Sequence, residues 1–105
     1  MVPEITATEL KERLEAAGAP LVLDVREPWE RELAHLTGTL DIPMNQVPHR
    51  LAELPRDRDI VVMCKAGGRS LQIAAYLARH GYRASNLTGG ILAWSKQVDP
   101  SVHTY

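Results

Sequence analysis

Apolar positions recur along this chain in two rhythms. Leu21-Val22-Leu23-Asp24-Val25 and Ile60-Val61-Val62-Met63 are short and almost unbroken apolar runs, the pattern of strands covered on both faces in a parallel sheet. Val2–Ile5 reads as a short extended piece in which Pro3 fits an edge strand. Tyr82–Leu87 contains a further short strand. Elsewhere the spacing is helical. Thr6-Ala7-Thr8-Glu9 has the spacing of a capping box, Leu10, Leu14 and Ala17 follow at helical intervals, and Gly18 stops that helix. A helix from about Ser70 to His80 presents Ile73, Ala74 and Leu77 on one face and ends at Gly81. Glu27–Leu33, with Pro28 in its first turn, and Val47–Leu54, bounded by Pro55, read as short helices. Gly89-Gly90 opens a last helix, Ile91-Leu92-Ala93-Trp94, and the polar tail from about Lys96 to Tyr105 is expected to run over the surface.

Strands alternating with short helices predict an α/β sandwich with a mostly parallel central sheet flanked by helices. No repeat or linker divides the chain, so residues 1–105 are expected to form one domain. Composition changes the picture mainly by exclusion. Apolar residues make up 45%, an ordinary globular share, and 12 basic against 13 acidic residues leave a net charge of −1. That balance gives no electrostatic case for nucleic acid. No run approaches membrane-spanning length and no signal-peptide core opens the chain, so a cytoplasmic protein without membrane contact is expected.

The single cysteine, Cys64, excludes an intrachain disulfide and leaves no second thiol to resolve anything that Cys64 carries. A lone cysteine closing an apolar strand is ordinarily an inert, buried small hydrophobe. The sequence that follows it, Lys65-Ala66-Gly67-Gly68-Arg69-Ser70, argues otherwise: two cations and two glycines do not suit a sealed core. Cys64 sits where a buried strand hands over to a helix N-terminus. Unpaired N–H groups and the positive end of the helix dipole there stabilise a thiolate. The residues between are mostly too small to block backbone N–H groups from a bound anion. In parallel α/β sheets ligands lie beyond the carboxyl ends of the strands, and Asp24-Val25-Arg26 falls at such an end beside Cys64. Asp24 is out of place in an apolar run and needs partners, either Arg26 or loop N–H groups. Asp24 and Arg26 are expected to support the loop rather than to react.

Four ordered stretches resemble the rhodanese-like sulfurtransferases. Cys64-Lys65-Ala66-Gly67-Gly68-Arg69-Ser70 is similar to the family's active-site loop, and Leu23-Asp24-Val25-Arg26-Glu27 to its first-strand motif. His35-Leu36-Thr37-Gly38-Thr39-Leu40-Asp41-Ile42-Pro43 resembles its His-Ile-Pro-Gly-Ala segment, departing at Leu36, Thr37 and Thr39. Leu87-Thr88-Gly89-Gly90-Ile91-Leu92-Ala93-Trp94 is similar to its closing Gly-Gly…Ala-Trp signature. The resemblance implies a rhodanese-like three-layer fold and a sulfurtransferase. In such an enzyme Cys64 takes sulfane sulfur from a donor such as thiosulfate, becomes a persulfide, and passes the sulfur to cyanide, a thiol or a sulfur-carrier protein. It makes the N–H groups of Lys65 through Ser70 the persulfide cradle, with Lys65 and Arg69 favouring anionic donors, and it needs no metal or organic cofactor. The stretch from Gly90 through Asp99-Pro100-Ser101 to Tyr105 also resembles the end of the rhodanese domain of molybdopterin-synthase sulfurylases. That implies a ubiquitin-like sulfur carrier as acceptor; a cysteine desulfurase is a candidate protein donor.

Two rivals stand beside this. One is a cysteine phosphatase or arsenate reductase of the rhodanese-related kind; tyrosine-type phosphatases place five residues between cysteine and arginine. Here Lys65 to Gly68 make four, a tighter cradle that suits one sulfur better than a tetrahedral phosphoryl group. A non-catalytic binding module is the other, although such modules usually lack the cysteine. His35 reads as a turn residue, and His49, His80 and His103 as surface residues without metal-ligand spacing. Trp29 and Trp94 read as packing residues, with Trp29 placed to edge the pocket. Ser70 suits a helix cap whose hydroxyl also reaches Cys64.

Overall fold

The computed structural model describes residues 2–105. Five strands form one sheet in the order β1-β5-β4-β2-β3, every neighbouring pair parallel. They are β1 (Glu4–Ile5), β2 (Leu21–Asp24), β3 (Leu40–Asp41), β4 (Ile60–Met63) and β5 (Ala84–Leu87). The helices are α1 (Ala7–Glu15), α2 (Pro28–Leu33), α3 (Gly68–Arg79) and α4 (Gly90–Gln97). The two central apolar runs are strands β2 and β4, and their register sets Leu23 beside Val62 and Asp24 beside Met63.

Because side chains alternate across a strand, each central run feeds two cores. Leu23, Val62 and Cys64 face Ile73, Ala74 and Leu77 of α3 on one side of the sheet. Val22, Val61 and Met63 face Leu10 of α1 and Ile91 of α4 on the other. This is the three-layer α/β sandwich, with a sheet that is wholly parallel. No helix among the described residues is long and apolar enough to cross a membrane.

The caps follow local chemistry. Thr6 Oγ1 accepts from the Glu9 N–H at 3.1 Å and Glu9 Oε1 accepts from the Thr6 N–H at 2.9 Å, the reciprocal capping box. Four expectations need correction. Helix α1 ends at Glu15, where Ala16 turns extended, so Leu14 and Ala17 are exposed and Ala7 and Leu10 carry the buried face. The helix expected over Val47–Leu54 is two 3-10 turns, Met44–His49 and Leu51–Glu53. Pro48 lacks the N–H that a regular α-helix there requires, and Arg50, at φ −127°, separates the two turns. Helix α3 begins at Gly68, not Ser70, with Gly67 as its N-cap at φ +105°.

The tail is the fourth correction. It runs over the surface as expected, with no residue of 96–105 buried, but it begins inside α4, which reaches Gln97, and it is anchored: Val98, Val102 and Tyr105 are half-buried against the α1–α4 core. Ser95 Oγ donates to the Val102 carbonyl at 2.6 Å and brings the chain back toward α2. The apolar residues of the tail are spaced too irregularly to announce this anchorage.

Candidate active site

Strand β4 ends at Met63, and the chain turns around the sulfur of Cys64. Cys64 is 1% exposed, at the floor of the turn. The Gly67 N–H donates to Sγ at 3.1 Å and the Ser70 N–H at 3.4 Å, while Ser70 Oγ lies 3.2 Å away. Of the N–H groups assigned to the cradle from sequence, those of Gly67 and Ser70 make these bonds, and the Ala66 N–H adds a weaker pull. Burial pushes the Cys64 thiol up. The Ser70 hydroxyl and the N–H groups of Ser70, Gly67 and Ala66 outweigh it, and the thiol lies below its ordinary range.

Glycine is required where the loop is tightest. Gly67 at φ +105° lies in the left-handed region. Gly90, at φ +59°, seats the start of α4 against the back of the loop, where a Cβ would meet the Cys64 and Lys65 carbonyl oxygens at 2.4–2.5 Å. That approach lets the Ile91 N–H donate to the Cys64 carbonyl at 3.0 Å and the Leu92 N–H to the Lys65 carbonyl at 3.2 Å. The Gly89-Gly90 motif thus holds the cysteine loop from behind.

Asp24 and Arg26 are both fully buried and pair directly. The Arg26 guanidinium gives Nε–H and one Nη2–H to the Asp24 carboxylate, the other Nη2–H to the Ala34 carbonyl, and its Nη1 hydrogens to the Glu30 carbonyl and the Tyr105 hydroxyl. Burial opposes the Arg26 charge, but Asp24 and Tyr105 hold it protonated.

Arg69 does not extend freely over the sulfur. Its Nη1 and Nη2 bind the two oxygens of Glu30 at 2.7 and 2.8 Å. Glu30 also accepts from the Glu27 N–H at 2.8 Å and the Tyr105 hydroxyl at 2.9 Å. Arg69, foremost, holds the Glu30 carboxyl down to about 2. Asp24, Arg26, Glu30 and Arg69 therefore balance one another. Lys65 is partnered by an aromatic face, its Nζ 4.7 Å from the centroid of the Tyr105 ring. Beside Arg69 opens a cavity of about 250 Å³ lined also by Val25, Glu27, Met44 and Asn45. A larger hollow of about 410 Å³ lies at the opposite ends of the strands, around Arg13, Asp59 and Arg83, away from Cys64.

Three neighbours of the candidate site are not evident from the sequence. Glu30 reads there as one more charge on a short polar helix. Asn86 reads as a strand residue; it is 2% exposed and its Oδ1 accepts from Ser70 Oγ–H at 2.5 Å. Tyr105 reads as tail. A buried polar residue in the β5 run, out of place as Asp24 is in β2, is the one available signal. Trp29, 59% exposed, stands edge-on to Tyr105 with ring centroids 6.3 Å apart, while Trp94 packs with the α1–α4 core. His35, His49, His80 and His103 are exposed.

A parallel α/β sandwich with a cysteine cradled at the β4–α3 junction is the architecture of a family. The model of the rhodanese-like domain matches residues 6–97, and the chain belongs to that family. A sulfurtransferase of Allochromatium vinosum is 42% identical over 103 residues, covering 97% of this chain and 96% of the relative. A probable adenylyltransferase/sulfurtransferase of Mycobacterium tuberculosis, MoeZ, is 38% identical over 104 residues, which cover 96% of this chain but 26% of that protein. Among solved structures, a rhodanese-like domain protein from Staphylococcus aureus superposes with a TM-score of 0.87 at 28% identity, covering 99% of both chains.

Proposed function

We propose that this protein is a sulfurtransferase that carries sulfane sulfur as a persulfide of Cys64. The observation that supports this most directly is the convergence of the Gly67 N–H, the Ser70 N–H and Ser70 Oγ on one sulfur at 3.1–3.4 Å. The cradle fits a thiolate, and the 42% identical sulfurtransferase covered over nearly its whole length supports the same chemistry.

In the loading step the Cys64 thiolate attacks the outer sulfur of thiosulfate. A new S–S bond forms, the S–S bond of the donor breaks, and sulfite departs with its electron pair. In the unloading step a nucleophile such as cyanide takes the outer sulfur and restores the thiolate. No cofactor is needed, because the persulfide is itself the carried group. Lys65 is the cation left to favour an anionic donor, since Arg69 is already paired with Glu30. The similarity to MoeZ supports a small ubiquitin-like sulfur carrier as the protein acceptor.

The test is intact mass before thiosulfate, after it, and after cyanide. Wild-type protein gains one sulfur and loses it to cyanide, whereas Cys64→Ser gains none and keeps its fold. A Cys64→Ser protein that still turned over thiosulfate would remove Cys64 from the reaction. No gain by the wild type, with Cys64 still open to alkylation, would remove thiosulfate as the donor.

A further inference from the structure

Asn86 is buried on β5, next to the cysteine loop, and makes a set of hydrogen bonds that fixes its amide. Its Nδ2 donates to Glu4 Oε1 at 3.0 Å and to the Gly67 carbonyl at 3.2 Å. Both partners are acceptors, so the nitrogen must face them and Oδ1 must face Ser70. Glu4 Oε1 is held in turn by the Thr88 hydroxyl at 3.0 Å.

The Ser70 hydroxyl has one proton and two neighbours that want it. Asn86 Oδ1 lies 2.5 Å from Ser70 Oγ, and Cys64 Sγ lies 3.2 Å away. With Cys64 as the thiol, every group is satisfied: S–H donates to Ser70 Oγ, Ser70 O–H donates to Asn86 Oδ1, and the amide donates to Glu4 and Gly67. Once Cys64 has lost its proton to solvent, the thiolate is an acceptor only. Ser70 can then turn its proton to the sulfur only by leaving the buried Asn86 oxygen without a donor, and such an orphaned group is costly.

We propose that Asn86 is a positioning residue that competes with Cys64 for the Ser70 proton, and thereby holds the thiol–thiolate balance of the nucleophile higher than the cradle alone would set it. The proton stays on Ser70 throughout; only the direction of its hydrogen bond changes. The proposal rests on the reading of Cys64 as the sulfur-accepting nucleophile, but its test does not require sulfur transfer.

Cys64 is the only cysteine, so the thiolate absorbance near 240 nm, followed against pH, reads this one group. Asn86→Leu has a similar shape and removes the competing acceptor. The midpoint is expected to fall by about half to one pH unit, the worth of one hydrogen bond released to the sulfur. Ser70→Ala moves the midpoint up. In the Ser70→Ala background, Asn86→Leu produces no further fall. A merely structural role gives the opposite sign, because loosening the Gly67 carbonyl slackens the cradle and raises the midpoint. An unchanged or raised midpoint in Asn86→Leu, or an equal fall with Ser70 absent, overturns the proposal. Should Asn86→Leu fail to fold by circular dichroism, Asn86→Ala removes the same competing acceptor with a smaller side chain, and a fall of the same sign is expected there. No fall in that variant overturns the proposal equally. Failure of thiosulfate loading alongside the expected shifts would count against the persulfide reading alone.

Discussion

The turns that follow β2 and β4 occupy neighbouring places at the carboxyl edge of the sheet, and they are closed in opposite ways. After β2 the chain is closed by side chains. Arg26 has five N–H donors, and all five have partners in Asp24, Ala34, Glu30 and Tyr105. After β4 the chain is closed by its own backbone, with N–H groups converging on a single sulfur. The first turn is a filled joint whose guanidinium has no N–H left for a ligand. The second turns its backbone donors on one sulfur, an arrangement that fits a thiolate. Both turns stand at the edge of the sheet where ligands bind in such folds, and hydrogen-bond satisfaction separates them: one has spent its donors on protein partners, the other aims them at one sulfur.

The largest effect is expected from breaking the filled joint. Arg26→Leu leaves the Asp24 carboxylate buried without its cation, which costs about 3–5 kcal/mol. Urea unfolding at pH 7 should show that loss. If the pair matters as a pair, Asp24→Asn combined with Arg26→Leu loses much less than the single change, because no orphaned charge remains. An additive double variant would mean that Arg26 acts through its packing alone.

Next comes the support behind the cysteine turn. A Cβ at Gly90 cannot coexist with the Cys64 and Lys65 carbonyls at 2.4–2.5 Å, so Gly90→Ala must push α4 and the loop apart. A loss of about 3 kcal/mol is expected from the overpacking and the positive φ together, with thiosulfate loading lost as well. Full loading of Gly90→Ala, read by intact mass, would show that the cradle does not depend on α4.

The contrast between the two turns also explains what is legible in the sequence. Strands β2 and β4, the capping box at Thr6 and the run from Cys64 to Ser70 are all local patterns, and the chain displays them directly. The Asp24–Arg26 pair is legible because a carboxylate in an apolar run asks for a partner nearby in sequence. Glu30 to Arg69, Asn86 to Ser70 and Tyr105 to Arg26 are separated by 39, 16 and 79 positions. Each partner is an unremarkable polar or aromatic residue in its own segment. Only the parallel crossovers bring them together, and nothing in hydropathy spacing records which polar side chain a crossover will deliver. The tail is illegible for the same reason: its anchor, Tyr105, finds its partners on α2 and the β2 turn, not in its neighbours.

The smallest effect is expected at the charge that ties the two turns together. Glu30 joins them, accepting from Arg69 of the cysteine loop while its own carbonyl accepts from Arg26 of the filled joint. Its carboxyl is held down to about 2, chiefly by Arg69. A carboxyl depressed in the folded state stabilises the fold fully above its unfolded value, and that stability is lost as pH falls through the folded value. The window therefore runs from about pH 4.5 down to about pH 2. With Arg69 partly exposed, the contribution is about 2 kcal/mol, discounted for solvent screening. Glu30→Gln should be weaker than wild type by about that amount at pH 7. Between pH 4.5 and 2 its stability should also fall less steeply. Asp59, Glu9 and Glu53 are lowered as well, but they lie outside this network and titrate alike in both proteins, so the difference between the two curves isolates Glu30. Parallel curves in urea unfolding at pH 7, 4.5 and 2.5 would mean that Glu30 is not the link, and that the two turns hold their shapes independently.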